Sequence, residues 1–299
     1  MMAHAMFTRG VPVGLALLVL PGVLAGQAAR GGSQEGWFPS TFVVQPQVGA
    51  RSGVDIGTGP LVARREPPTG SGRSSPEADV AFGYRIPVYR FSDGGSGRPG
   101  LDLGLEAGVL ARFALGEGLN GLINSDFRVA FPLGVDLGDW EAQLSLVHVS
   151  SHVGDDYIER TPGFDPHASS RNGAEADLMY RVGPGLRLSV GSDYNWAAAG
   201  VETVRARLGA EYDPVGRDGR RVRPIGTLEL EVSDYTTGLG ATGMAGVGIR
   251  TGSGDLRFGL IGHTGPSQMG QFRGVDEEYV GVFLIVVPGN VTQSGSGAG

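Results

Sequence analysis

Residues 101–113 read LDLGLEAGVLARF. Leu101, Leu103, Leu105, Ala107, Val109, Ala111 and Phe113 fall on one parity, and Asp102, Gly104, Glu106, Gly108 and Arg112 on the other. Successive side chains of a strand point to opposite faces, so this is a strand with one apolar and one polar side. The pattern recurs at Val204, Ala206, Leu208, Ala210 and Tyr212 against Thr203, Arg205, Arg207, Gly209 and Glu211. It recurs again at Leu228, Leu230 and Val232 against Thr227, Glu229, Glu231 and Ser233. Working outward predicts strands at 41–48, 78–90, 101–113, 123–135, 139–151, 174–183, 186–196, 202–213, 223–234, 242–251, 254–263 and 277–288. The 53 glycines and 18 prolines punctuate these segments.

Strands of about ten residues suit a tilted membrane crossing, whereas the strands of a soluble sandwich average ~5–6 residues. The fold class expected is therefore all-β: an antiparallel transmembrane β-barrel of about 12 strands, spanning 41–288. Its connections should alternate between short periplasmic turns at 136–138, 184–185 and 252–253 and long external loops at 49–77, 152–173 and 264–276. Pro214–Arg221 is long for a periplasmic turn. Aromatic residues near strand ends, among them Tyr89, Phe91, Trp140, Tyr194, Trp196 and Tyr235, fit interfacial girdles, although ordinary packing also places aromatics there. The last strand departs from the pattern: Val282, Leu284 and Val286 oppose Phe283, Ile285 and Val287, so both faces are apolar.

At the N-terminus, Arg9 precedes an apolar run from Val11 to Leu24 and then small residues, the arrangement of a secretory signal over 1–28 with cleavage after Ala25 or Ala28. The segment 29–40 leads into the barrel and a glycine-serine tail follows at 289–299. Outer-membrane residence is expected, with outer-membrane lipid and the barrel-assembly machinery as partners. There is no cysteine and no lysine, all 24 basic residues being arginine, which excludes thiol chemistry, Schiff-base chemistry and a phosphate-loop lysine. The net charge of -7 and the lack of a basic cluster argue against nucleic acid. The glycine-rich 68–76 has no following lysine-serine/threonine pair, so a phosphate cradle is rejected.

The polar faces point inward and carry Asp79, Arg85, Glu106, Arg112, Asp126, Arg128, Glu141, Asp177, Arg181, Arg205, Arg207, Glu211, Glu229, Glu231 and Arg257. Unpaired buried charge costs several kcal/mol per ion, so a lumen of mixed sign reads as plugged by ion pairs rather than open.

One stretch could carry chemistry: LSLVHVSSHVGDDYIER, Leu144–Arg160. His148 and Ser150 share the outward parity of Leu144 and Leu146 near the external strand end, so base and nucleophile can meet there. This His-x-Ser spacing resembles that of outer-membrane phospholipase A and the lipid A deacylases. The resemblance implies His148 as base, Ser150 as nucleophile and an acyl ester of the outer leaflet as substrate. No orienting third residue is evident: Glu175 and Asp177 alternate to the lumen, and Asp155 or Asp156 requires the loop to fold back. His152, Asp155, Asp156 and His167 could alternatively hold a divalent metal, calcium or zinc, though their spacing matches no named site and Gly154 followed by paired acids more often makes a turn closed by Asp side chains. No cofactor is otherwise expected.

A longer likeness runs from Gly108 to Tyr157 through VLARFAL, LINSDFRVAFPLG, GDW and HVSSHVGDDY, with REPP at Arg65–Pro68 upstream. It resembles the uncharacterised bacterial envelope family DUF1207. The block most recognisable in that family is here Ser150, Ser151, His152, Gly154, Asp155, Asp156 and Tyr157, which implies a role for it beyond closing a loop. The likeness implies an envelope location and no established activity. A structural or ligand-binding barrel is the leading expectation, with a lipid acyl-ester hydrolase and a small-solute channel as alternatives.

Overall fold

The computed structural model describes residues 35–39, 42–44, 56–65, 72–94, 98–116, 121–161, 163–166, 169–214, 221–251 and 254–288. The expected signal segment, the tail, His167 and most of the 214–221 connection lie outside the described residues. A two-residue strand β1 (Gly36–Trp37) precedes twelve long ones: β2 (Ile56–Arg65), β3 (Ser74–Asp93), β4 (Gly100–Ala114), β5 (Leu122–Asp136), β6 (Trp140–Val153), β7 (Ser169–Arg181), β8 (Leu186–Ala199), β9 (Val204–Tyr212), β10 (Val222–Ser233), β11 (Gly240–Thr251), β12 (Gly254–Pro266) and β13 (Asp276–Pro288). Each of β2–β13 pairs antiparallel with its sequence neighbours, and β2 also pairs with β13, closing a twelve-stranded barrel. Closure satisfies strand edges that an open sheet leaves exposed. Among the described residues no helix is long and apolar enough to cross a membrane; barrels cross with strands.

Eleven of the twelve expected strands are present near their expected positions, and the first is displaced. It is Ile56–Arg65, which lies within the expected external loop 49–77. Its Gly-Thr-Gly-Pro start reads as a turn, yet the glycine answers a packing demand: a Cβ at Gly59 would run into the Val282 carbonyl of β13. Of the stretch expected as a strand at 41–48, the described residues Phe42–Val44 instead enter the lumen. There the Val43 amide donates to the Asp102 carboxylate at 2.6 Å, the Arg85 guanidinium lies 4.1 Å from the centre of the Phe42 ring, and Val44 is fully buried.

Alternation sorts the two faces as expected. Phe82, Phe131, Leu146, Leu208, Leu260 and Val280 are exposed on the outside, while inward Arg112, Glu106, Asp193 and Glu277 are buried. Exposed aromatics sit near both ends of the outer wall, with Trp140 packed 4.7 Å from Tyr180 at one end and Tyr194 and Trp196 at the other. The lumen has two walls. One is ionic: Arg112 chelates Asp79 at 2.6 and 2.7 Å and reaches Glu277 at 2.6 Å, Arg128 grips Glu175 at 2.9 and 2.7 Å, and Asp193 receives Arg205 and Arg207. Guanidinium forks can bridge two carboxylates at once, a task a lysine point charge performs poorly. The other wall is apolar. Ile225, Met244 and Phe283 form one cluster and Leu61, Ala63 and Tyr279 another, with Ile261 touching both. Phe283 and Ile285 of β13 belong to this wall, which is why that strand is apolar on both sides.

The first barrel strand and the last open and close at the same end as the short turn between β5 and β6, the periplasmic end of the expected orientation. At the opposite end lie the longer connections between β6 and β7 and between β12 and β13.

Candidate functional site

On β6, His148 is exposed and Ser150 half-buried, both outward. Antiparallel register sets Asn172 of β7 directly opposite His148, and Ser170 opposite Ser150. The His148 Nδ1 lies 2.8 Å from Asn172 Oδ1. An amide oxygen only accepts, so Nδ1 is the donor in this contact. The sequence did not disclose this contact of the ring, and the acids it offered do not supply one: Glu175 is buried in the lumen network, and Asp155 and Asp156 remain exposed. The pairing of β7 with β8 slips between Asn172 and Gly173, a bulge of the kind that re-aims a side chain. On the β5 side, Val129 stands opposite His148 and Phe127 opposite Ser150, both exposed and apolar.

Beside Ser150, where β6 and β7 part, lies a hollow of about 390 Å³ lined by Ser150, Ser151, His152, Val153, Ile158, Pro166, Ser169, Ser170 and Gln271. His152 stays outward, its ring edge-on to Phe127 at 5.8 Å. Ser151 faces the lumen instead. Its hydroxyl donates to Asp126, lies 3.0 Å from Asn124 Oδ1 and accepts from the Gln271 backbone N–H at 3.1 Å.

The remainder of the block shapes the external mouth. Gly154 caps the helix α1 (Asp155–Arg160), and a Cβ there would collide with the Leu122 carbonyl. Asp155 and Asp156 occupy the first turn of α1, where acidic groups suit the positive end of the helix dipole. Tyr157 packs edge-on to Phe164 and Phe272, and those two stack on each other at 5.4 Å. Burial pushes the Tyr157 phenol above its ordinary value, keeping it neutral. Phe272 belongs to a 3-10 turn, Gly270–Phe272, that reaches from the β12–β13 connection across the mouth. Arg273 fastens that connection to Glu202 at 3.0 Å and Glu231 at 2.7 Å. Burial alone would raise the Glu202 carboxyl, but Arg273 and Arg205 outweigh it and hold it at about 2.

The match to a family model decides the kinship: residues 72–285 fit the model described as a protein of unknown function, DUF1207. The chain belongs to the DUF1207 family. No curated protein matches it by sequence. Among solved structures it is similar to outer-membrane phospholipase A from Escherichia coli, with 12% identity and a TM-score of 0.54, covering 81% of this chain and 95% of that one. A Salmonella typhi outer-membrane phospholipase, a dimer with bound calcium, gives 12% identity and 0.52 over 78% and 91%. An active-site mutant of the Escherichia coli enzyme at pH 6.1, an asparagine changed to alanine, gives 11% and 0.51 over 81% and 95%. At such identity the likeness shows the fold alone: this DUF1207 chain is built as an outer-membrane type of barrel.

All the residues of the outward site fall within the DUF1207 match. Of the sequence candidates, His148 and Ser150 share the outer wall, Ser151 belongs to the lumen, and Gly154–Tyr157 build the mouth. Among the described residues no three metal-binding side chains gather in one place. Asn172 was missed because β7 begins at Ser169, five residues before the expected start; Ser-Ser-Arg-Asn-Gly reads as loop. The available signal was parity, since Ser170 and Asn172 continue the outward set of Ala174, Ala176 and Leu178.

Proposed function

We propose that this protein is an outer-membrane acyl-ester hydrolase whose nucleophile is Ser150, whose general base is His148 and whose orienting residue is Asn172. The observation that carries this reading is the 2.8 Å contact between His148 Nδ1 and Asn172 Oδ1. It leaves Nε2 free to take the Ser150 proton as Oγ attacks an ester carbonyl, and to return it to the departing alcohol oxygen. Water then attacks the acyl-enzyme by the same route. A neutral amide fits this surface: a carboxylate facing hydrocarbon would bear a larger desolvation penalty. That one of the structurally similar phospholipases was solved as an asparagine-to-alanine active-site mutant supports the same division of labour.

The substrate reaches the site from the surrounding lipid, because the apolar outer wall and its aromatic ends suit an outer membrane. The barrel therefore fractionates with outer membrane and needs detergent for extraction. A channel is disfavoured by the buried ion pairs, the Phe42–Val44 insertion and the Phe272 closure. Purified barrel in liposomes should pass no small solute.

Release of fatty acid from mixed lipid-detergent micelles tests the chemistry. Ser150→Ala and His148→Ala should each lower it by at least about 10³-fold, as for removal of a nucleophile or base in serine hydrolases. Equal release by parent and both variants overturns the reading.

A further inference from the structure

The arginines of this barrel are unevenly shared between the two sides of one wall. Inside, a chamber is lined by Arg128, Arg171, Arg205, Arg207 and Arg273, and their guanidiniums are held by carboxylates such as Glu175, Asp193 and Glu231. At the outer mouth, the described residues that line the hollow beside Ser150 include no arginine and no carboxylate. It presents the hydroxyls of Ser150 and Ser170 and the His152 imidazole, between the apolar Val153, Ile158 and Pro166 and over a floor of the buried Ser151, Ser169 and Gln271. At about 390 Å³ it lies within the ~300–1,000 Å³ of ordinary small-molecule sites.

Phosphate groups are recognised by arginine forks, lysines or uncapped helix ends. The hollow offers none of these. The first turn of the nearby α1 already carries Asp155 and Asp156, and the same connection between β6 and β7 exposes Glu159 and Asp165 against Arg160, so this part of the mouth is net acidic. Such a rim repels an anionic headgroup, which would also lose its hydration without gaining a cation. Hydroxyl groups, by contrast, find both donors and acceptors in serine and histidine side chains.

We propose that this hollow receives the alcohol portion of the substrate, and that this portion is a neutral polyhydroxyl group, a sugar above all, rather than a phosphate ester. The inference rests on the Ser150 hydrolase reading and names the lipid class it acts on: acyl esters carried by uncharged glycolipids. The acyl chain then lies along the apolar outer wall near Phe127 and Val129, and the hydroxyls sit under α1.

The test uses the full barrel in neutral detergent with two pure lipids of identical acyl chains, hexosyl diacylglycerol and phosphatidylglycerol. The parent should hydrolyse the hexosyl lipid with kcat/KM at least about tenfold higher, the scale on which mismatched polar groups are rejected. Ile158→Arg, which brings a guanidinium into the hollow, should lower that ratio at least about threefold by raising phosphatidylglycerol turnover. In the catalytically silent Ser150→Ala barrel, the hexosyl lipid should quench or shift tryptophan emission at lower concentration than phosphatidylglycerol. Ser150-dependent hydrolysis that is equal for both lipids or favours phosphatidylglycerol overturns this proposal and leaves the hydrolase standing. Preferential binding of the hexosyl lipid without any Ser150-dependent hydrolysis overturns the hydrolase and keeps the hollow as a glycolipid site. Neither binding preference nor hydrolysis overturns both.

Discussion

Ser150 and Ser151 adjoin in the chain and serve opposite sides of one wall. Ser151 is buried, held by Asn124, Asp126 and the mouth-closing Gln271, and every hydrogen-bonding position of its hydroxyl is engaged in holding structure. Ser150 is half-buried on the outer face, near a histidine whose other nitrogen is fixed by an amide. On the proposed reading, one step along a strand separates a structural hydroxyl from the nucleophile. A serine beside a carboxylate and an amide is inert without a base that can carry its proton away, and Ser151 has no imidazole in its bonded circle. The same contrast holds for whole faces, since inward carboxylates and guanidiniums pair with one another while the outward trio of His148, Ser150 and Asn172 contains neither.

Removing one inward cation should break that contrast most visibly. Arg112→Met leaves Asp79 and Glu277 without their shared partner, and stripping one member from a buried ionic group costs about 3–5 kcal/mol. Denaturant unfolding in detergent should show this loss, whereas hydrolysis per folded molecule should persist. Acid provides a second separation. The Glu202 carboxyl is held at about 2, below its unfolded value. Its contribution is complete above the unfolded range near pH ~5 and is lost as pH falls toward the folded value, on the order of 2–3 kcal/mol in all. Glu202→Gln should flatten the fall in stability between about pH 5 and 2; an unchanged acid limb would remove Glu202 from the latch.

Two smaller effects sharpen the outer side. Asn172→Ala should lower kcat by about 10- to 100-fold through a misoriented imidazole, with little change in KM, and Asn172→Asp should restore much of it because the carboxylate accepts the same hydrogen bond. A variant that loses KM instead would place Asn172 in lipid binding. Ser151→Ala should keep most of the activity and cost about 1–3 kcal/mol of stability, as for other buried groups left without partners.

Much of this was legible in the sequence because parity is a coarse and robust signal. Eleven strands, the mixed charges of the lumen and the shared outward face of His148 and Ser150 all follow from counting by two. The failures have one physical origin, which is that polar or glycine-bearing segments can be strands when a neighbour supplies the reason. Ile56–Arg65 is a strand because β13 and β3 flank it, and its glycine lets β13 approach. Ser169–Asn172 is a strand because β6 continues opposite it, a fact of register rather than composition. Phe42–Val44 has strand-like residues but finds its apolar cover inside the lumen, against Gly104, Gly134 and Arg85. The mouth was equally hidden, because the contact of Phe272 with Tyr157 and Phe164 joins loops more than a hundred residues apart in the chain.

The most direct measurement of the central claim is covalent labelling of the detergent-solubilised barrel with a long-chain alkyl sulfonyl fluoride, followed by peptide mass spectrometry. A single adduct on Ser150 that disappears in His148→Ala is the predicted result. An adduct on Ser151, or no His148-dependent labelling of Ser150, would contradict it.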